Sequence, residues 1–313
     1  GSPIACSVFI LIGGWFLCEQ PYKTRRPLSL WLSLWLYTVP ITLLCRLAGL
    51  DVSLGALRWA AFPASTRQLW FISDYLLLLL CVPLLNRVLR GLPRTAHRGL
   101  LAVLAVPMIL YPTLFGENGI VSDTAWMFLY EYLLAAYLRR YPENRLARLL
   151  QNRAAALALG LGLPLVNTAI RAVLETRGLT DGKAFQYVAY YRTALGALPG
   201  LLAALALFHF FKNLDLGSNW FINGLAGSTL GVYILHQVPV LRDFLWNGIF
   251  HAQAHHGSAA YTLLVIVLTF AGCAAIDTLR TRFIMQPLQR SRAFTAFCVK
   301  GDALAAEIEK QSD

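Results

Sequence analysis

The chain has 313 residues, 57% of them hydrophobic and only 14% charged, with a net charge of +11 and a mean hydropathy of +0.56. A soluble domain is about 45–50% apolar and about 25% charged, which argues against a water-soluble globule and for a chain that lives in a bilayer. Nor does the positive charge mark a nucleic-acid binder, because Lys and Arg stand in short clusters between apolar runs instead of on one solvated face.

A helix needs about 20 mostly apolar residues to cross about 30 Å of hydrocarbon. In chain order, such runs fall at 4–18, 28–48, 69–87, 99–115, 122–138, 154–174, 187–211, 219–237 and 261–279. They predict an all-α, polytopic transmembrane helix bundle with about nine spans. The first run is short. The stretch 219–248 is broken by glycines and by Pro239, which predicts a helix followed by an interfacial segment. A transmembrane domain, 1–285, is then followed by a tail, 286–313, whose ALAAEIEK segment predicts a short amphipathic surface helix.

Basic residues gather in alternate connections, at 23–26, 87–98, 139–153, 212 and 280–310, which together hold 19 of the 27 Lys and Arg. Positive loops stay cytoplasmic, so the C-terminus is expected inside a cell inner (plasma) membrane and Gly1 outside. That polarity predicts one further helix upstream, with both ends then inside. The Gly-Ser start, lacking a methionine, reads as an added scar.

Ionisable residues inside spans are costly and mark cavities, partners or substrate paths. Those in this chain are Asp74, Glu131, Arg171, Arg192, His209, His236 and Asp277. Arg171, Arg192 and Asp277 lie near helix ends and have a snorkelling alternative, and His209 an interfacial one. Asp74 and Glu131 sit among strongly apolar neighbours, the plainer alternative being an interhelical bond that fixes packing. His236 follows Gly224, Gly227 and Gly231 and precedes the breaker Pro239, with a helix-capping role as its alternative. His236, Asp74 and Glu131 are therefore the catalytic candidates. The triplet His251, His255 and His256 has metal-ligand spacing, but a solvated outer loop is the plainer reading. The six cysteines form no CxxC pair, so neither a zinc site nor a disulfide framework is indicated, and no metal is expected.

Several segments, in order, resemble the acyltransferase type 3 family, multi-helix membrane O-acyltransferases that modify surface glycans and some small molecules. ACSVFILIGGWFL is similar to that family's second helix, with Gly13, Gly14 and Trp15 where the family closes in Ser-Gly-aromatic. KTRRPLSLWLSLWLYTVP resembles its basic turn and third helix, Lys23 and Arg26 having the spacing of the family's RxxR pair. RQLWFISDYLLLLLCVPLL is similar to its Trp-initiated helix and FLYEYLLAAYLRRYPE to a helix ending in an aromatic and basic turn. STLGVYILHQVPVLRDFL resembles its late segment of Ser, Gly, Tyr and His, here Ser228, Gly231, Tyr233 and His236. The resemblance implies transfer of an acyl group, acetyl foremost, from cytoplasmic acyl-CoA to a hydroxyl of a surface glycan or lipid-linked sugar. Lys23, Arg25 and Arg26 would then bind the CoA phosphates, since Arg forks suit phosphate and the cluster lies on the expected cytoplasmic side. The family's base is a histidine on its first helix, whereas the first histidine here is His97. Either that helix lies upstream or the chain is a degenerate member.

Two other classes compete with this expectation. A secondary transporter or flippase would use Asp74, Glu131 and Arg192 as intramembrane charges and should show paired broken helices. An acyltransferase-like scaffold without activity would serve as a membrane partner.

Overall fold

Backbone N–H and C=O groups find no partner in hydrocarbon, so a chain of this composition has to close its hydrogen bonds within helices. The computed structural model, which describes residues 2–117, 123–143, 148–215, 217–255 and 257–310, does this, and no described residue lies in a strand. The helices are α1 (Ser2–Leu17), α2 (Arg25–Leu47), α3 (Leu54–Ala61), α4 (Trp70–Gly91), α5 (Arg94–Phe115), α6 (Thr124–Arg140) and α7 (Arg153–Thr176). They continue as α8 (Lys183–Thr193), α9 (Leu198–Lys212), α10 (Trp220–Gln237), α11 (Pro239–Ile249), α12 (Ala259–Arg290) and α13 (Arg292–Glu309). Side-chain caps start several of them: Ser53 accepts from the Ala56 N–H at 3.0 Å, Asp123 from Ala125 at 3.0 Å, and Asn219 from Phe221 and Ile222 at 2.9 and 3.2 Å.

Each of the nine apolar runs forms helix, but the spans are fewer by length. Among the described residues, six stretches are long and apolar enough to cross a membrane, with Lys183–Lys212 counted as one, and there are seven if α10 and α11 are joined across their 76° bend. The difference arises at α1 and α6, which have 16 and 17 residues, short of a straight crossing. The bend falls at Pro239, where the sequence predicts a break in the stretch 219–248. The division expected at 285/286 falls inside α12, which runs on to Arg290, and α13 takes in the amphipathic ALAAEIEK. Of the expected basic residues and histidines, Arg145 and His256 lie outside the described residues.

The chain divides into two compact units, one of residues 1–22, 81–215 and 306–313 and the other of residues 23–80 and 216–305. In the first, α1 packs on α6 and α9, and α9 on α7. Trp15 is the anchor of this packing: its indole meets Phe208 at 5.5 Å, and Arg139 and Lys212 lie over its rings at 4.8 and 4.5 Å. A buried polar chain runs alongside, with Tyr132 donating to Asn86 Oδ1 at 2.6 Å and Asn86 Nδ2 donating to the Leu17 carbonyl at 3.0 Å. Such a chain satisfies polar groups that hydrocarbon would not. Gly116 ends α5 at φ +67°, a left-handed turn that favours glycine.

In the second unit, α2 packs on α3, α10 and α11, and α10 packs on α12. Thr38 ties α2 to α3 by donating to the Ala60 carbonyl at 2.8 Å. The apolar side chains of α12, Leu263, Leu264, Ile266, Val267 and Leu268 among them, face outward. A helix apolar on its exposed faces belongs in lipid. The tail helix α13 returns to the start of α2, where Asp302 Oδ1 accepts the Thr24 N–H at 2.6 Å.

Candidate functional site

A polar site inside the second unit lies between α2, α10 and α12. Three residues of α2 on one helical face, Ser29, Ser33 and Tyr37, look toward Asp277 and Arg280, which stand three apart on α12. The Tyr37 hydroxyl donates to Asp277 Oδ1, and Arg280 Nη2 donates to the same oxygen at 3.0 Å. Arg280 also reaches Ser33 Oγ at 3.5 Å and lies over the Tyr37 ring at 4.6 Å. The Asp277 and Arg280 side chains are only 7% and 11% exposed. Water does little to screen a pair so placed, so it is held by its hydrogen bonds. Arg280 Nε is buried with no hydrogen-bond partner, a donor that the site leaves open.

Glycine makes room for this arrangement. Gly231 of α10 faces Asp277 so closely that a side chain there would overlap the carboxylate. The space beside it is a cavity of about 200 Å³ bounded by Ser29, Ser33, Tyr37, Gly227, Gly231, Asp277, Arg280 and Gln289. An adjoining hollow of about 610 Å³ shares Gly227, Asp277 and Thr281 and adds Asn223, Ser228, Arg282 and Gln286. Polar donors along a glycine-lined wall suit a long, flexible ligand with amide, carbonyl or anionic groups.

The basic cluster lies at the start of α2. Lys23 and Arg25 are exposed, and Arg25 Nη2 donates to Gln289 Oε1 at 2.6 Å, while Gln289 Nε2 donates to Ser29 at 2.9 Å. Since Gln289 and Ser29 also line the cavity, the cluster and the cavity are joined by one hydrogen-bond chain. Arg26 is half-buried and lies close enough to Tyr75 to act on it electrostatically.

The three catalytic candidates fall in different surroundings. Glu131, in the first unit, is fully buried on α6 with its carboxyl group beside Ser7 of α1. Asp74, in the second unit, is buried on α4 with Arg67 at 2.8 Å. His236, also in the second unit, is half-buried at the end of α10; its Nδ1 donates to the Val232 carbonyl at 2.6 Å, and Tyr233 and Trp246 lie edge-on to its ring. Among the other intramembrane candidates, His209 Nδ1 donates to its own helix at Leu205, 2.9 Å away, and Arg171 pairs with Glu175 at 2.7 Å. The His255 ring lies tilted against Tyr261 at 4.2 Å, and among the described residues no group of three His, Cys, Asp or Glu could hold a metal.

Sequence reasoning named Asp277 but missed its partners. Tyr37 reads as one more aromatic of an apolar span, and Arg280 as a cytoplasmic loop charge. Two signals were available: the i, i+3 spacing of Asp277 and Arg280, and the Gly227/Gly231 stripe that admits a close neighbour.

Compared with known proteins, residues 1–278 match the sequence model of a family described as an acyltransferase domain. No curated protein and no solved structure matches the chain.

Proposed function

Since the chain belongs to the acyltransferase type 3 family and is a membrane acyltransferase, we propose that it moves an acyl group, acetyl foremost, from cytoplasmic acyl-CoA to a hydroxyl of a surface glycan or lipid-linked sugar across the inner membrane. The observation that carries the donor side of this reading is the hydrogen-bond chain from Arg25 through Gln289 and Ser29 into the cavity of Asp277 and Arg280. It supports a donor whose phosphates rest on Lys23, Arg25 and Arg26 while its pantetheine arm enters the cavity. Guanidinium groups bind phosphate through paired charge-assisted bonds. The open Arg280 Nε is a ready donor for a carbonyl oxygen of that arm.

In the reaction, the acceptor oxygen bonds to the thioester carbon as its proton passes to a base, and the C–S bond then breaks, the CoA sulfur leaving as a thiolate that takes up the proton. His236 is the base we assign. Its Nδ1–H is held by the Val232 carbonyl, which leaves the Nε2 lone pair to accept a proton. Asp74 and Glu131 remain further catalytic candidates, each in its own unit, and hydrogen-bond donors beside the thioester would steady the tetrahedral oxyanion.

Acyl-CoA binding by purified protein tests the donor side. Arg26→Ala is expected to weaken acyl-CoA binding about tenfold or more, the scale of a hydrogen bond to a charged group, and to reduce its salt dependence. Unchanged affinity in that variant would remove the basic cluster from the donor site.

A further inference from the structure

Arg192 plays no part in the reaction described above, and its setting is unusual. It lies exposed near the end of α8, in the first part of the stretch Lys183–Lys212 that is long and apolar enough to cross a membrane. Among the described residues it makes no ion pair or hydrogen bond. Instead it lines a cavity of about 90 Å³ in the first unit, together with Asn167 and Thr168 of α7, Tyr191, and Pro199 and Gly200 at the start of α9.

The Tyr191 hydroxyl donates to the Thr113 carbonyl at 2.5 Å and that of Thr168 to the Pro164 carbonyl at 2.8 Å, and among the described residues neither is hydrogen-bonded to Arg192. Asn167 is half-buried and its amide makes no hydrogen bond among the described residues. In the first turn of α9, Leu198 N–H donates to Thr113 Oγ1 at 2.8 Å and Pro199 has no N–H, so Gly200 brings the next amide at the positive end of the helix dipole. Among the described residues, no Asp or Glu lines the cavity. A guanidinium, an amide and a helix start without a counter-charge match a tetrahedral anion. The remaining walls, Pro3, Ile4 and Leu163, are apolar. By the distribution of Lys and Arg, the start of the stretch Lys183–Lys212 is its end away from the cytoplasm.

We propose that this cavity binds a phosphate group, and, resting on the acyltransferase reading, that a lipid-linked sugar acceptor is its bearer. Arg192 and Asn167 hold the phosphate at the membrane surface while the lipid tail lies along the apolar wall.

Native mass spectrometry of the full chain in detergent tests this with three probes: a polyprenyl phosphate, the matching polyprenol and inorganic phosphate. The wild type should hold the polyprenyl phosphate at least about tenfold more tightly than the alcohol, and Arg192→Ala should erase that preference. Arg192→Lys, which keeps the charge without the fork, and Asn167→Ala should each keep part of it, and both stand in for Arg192→Ala if that variant does not fold. Retention of inorganic phosphate, lost in Arg192→Ala, would support the anion site and assign its occupant to free phosphate. Equal binding of phosphate and alcohol, or a preference unchanged in all three variants, would overturn the proposal. Acyl transfer measured in parallel separates the two claims. Arg192-dependent phosphate binding without any acyl transfer would remove the acyltransferase reading and leave the site; transfer with no such binding would do the reverse.

Discussion

Gly231 sets where Asp277 can stand: a β-carbon on residue 231 would lie 2.2 Å from the Asp277 carboxylate. The carboxylate that receives Tyr37 and Arg280 is therefore pressed against a bare helix backbone. Gly231→Ala has to push Asp277 aside and break its geometry, and overpacking of this kind costs about 1–3 kcal/mol. Gly272, on the same helix as Asp277, has open space where its β-carbon would be. Thermal unfolding should show Gly231→Ala clearly destabilised and Gly272→Ala close to wild type.

The Asp277–Arg280 pair carries a second expectation. Asp277→Ala leaves a buried guanidinium without its counter-charge, which costs about 3–5 kcal/mol. Removing both charges, as in Asp277→Asn with Arg280→Gln, should cost less than the two single changes added together. A double-mutant cycle on unfolding free energy measures the coupling, and simple additivity would mean that the pair is not formed.

The tail helix gives a prediction outside the membrane-spanning segments. Burial pushes the Cys298 thiol up, nearby Asp302 pushes it further, and Arg25 offsets part of the rise. A raised thiol holds less thiolate near neutrality, so maleimide labelling of Cys298 should be slow at pH 7.5 and still be climbing at a pH where an ordinary thiol has levelled off. Asp302→Asn should speed the labelling by removing the negative neighbour, and it should also weaken the cap on Thr24, at about 1 kcal/mol. Labelling as fast as that of a free thiol in the wild type would show that α13 does not pack on α2.

The helices were legible because apolar runs between charge clusters leave a chain few choices in lipid, and the bend after Gln237 was legible because Pro239 cannot continue a helix hydrogen-bond ladder. The run 4–18 reads as short and α1 is short, whereas composition marks α6 as apolar without fixing how far that helix extends. The site was harder still. Tyr37 and Asp277 are 240 positions apart, and nothing local to either names the other. Arg280 was counted among loop charges because charge patterning reads position along the chain, whereas its burial is decided by α2 packing across it. Arg192 was recognised as an intramembrane charge, but its open cavity needed Asn167 and the start of α9 to be brought together.

Acyl transfer through the second unit is tested by adding labelled acetyl-CoA to membranes holding residues 1–313 or the His236→Gln variant and following label into glycan and lipid. Label is expected in the acceptor fraction from the wild type, with a rate lower by about 10²–10⁴-fold in His236→Gln, the usual contribution of a general base. Acyl-CoA affinity should be equal in the two. No transfer from folded wild-type protein with acetyl or longer acyl donors, or full transfer by His236→Gln, would contradict it.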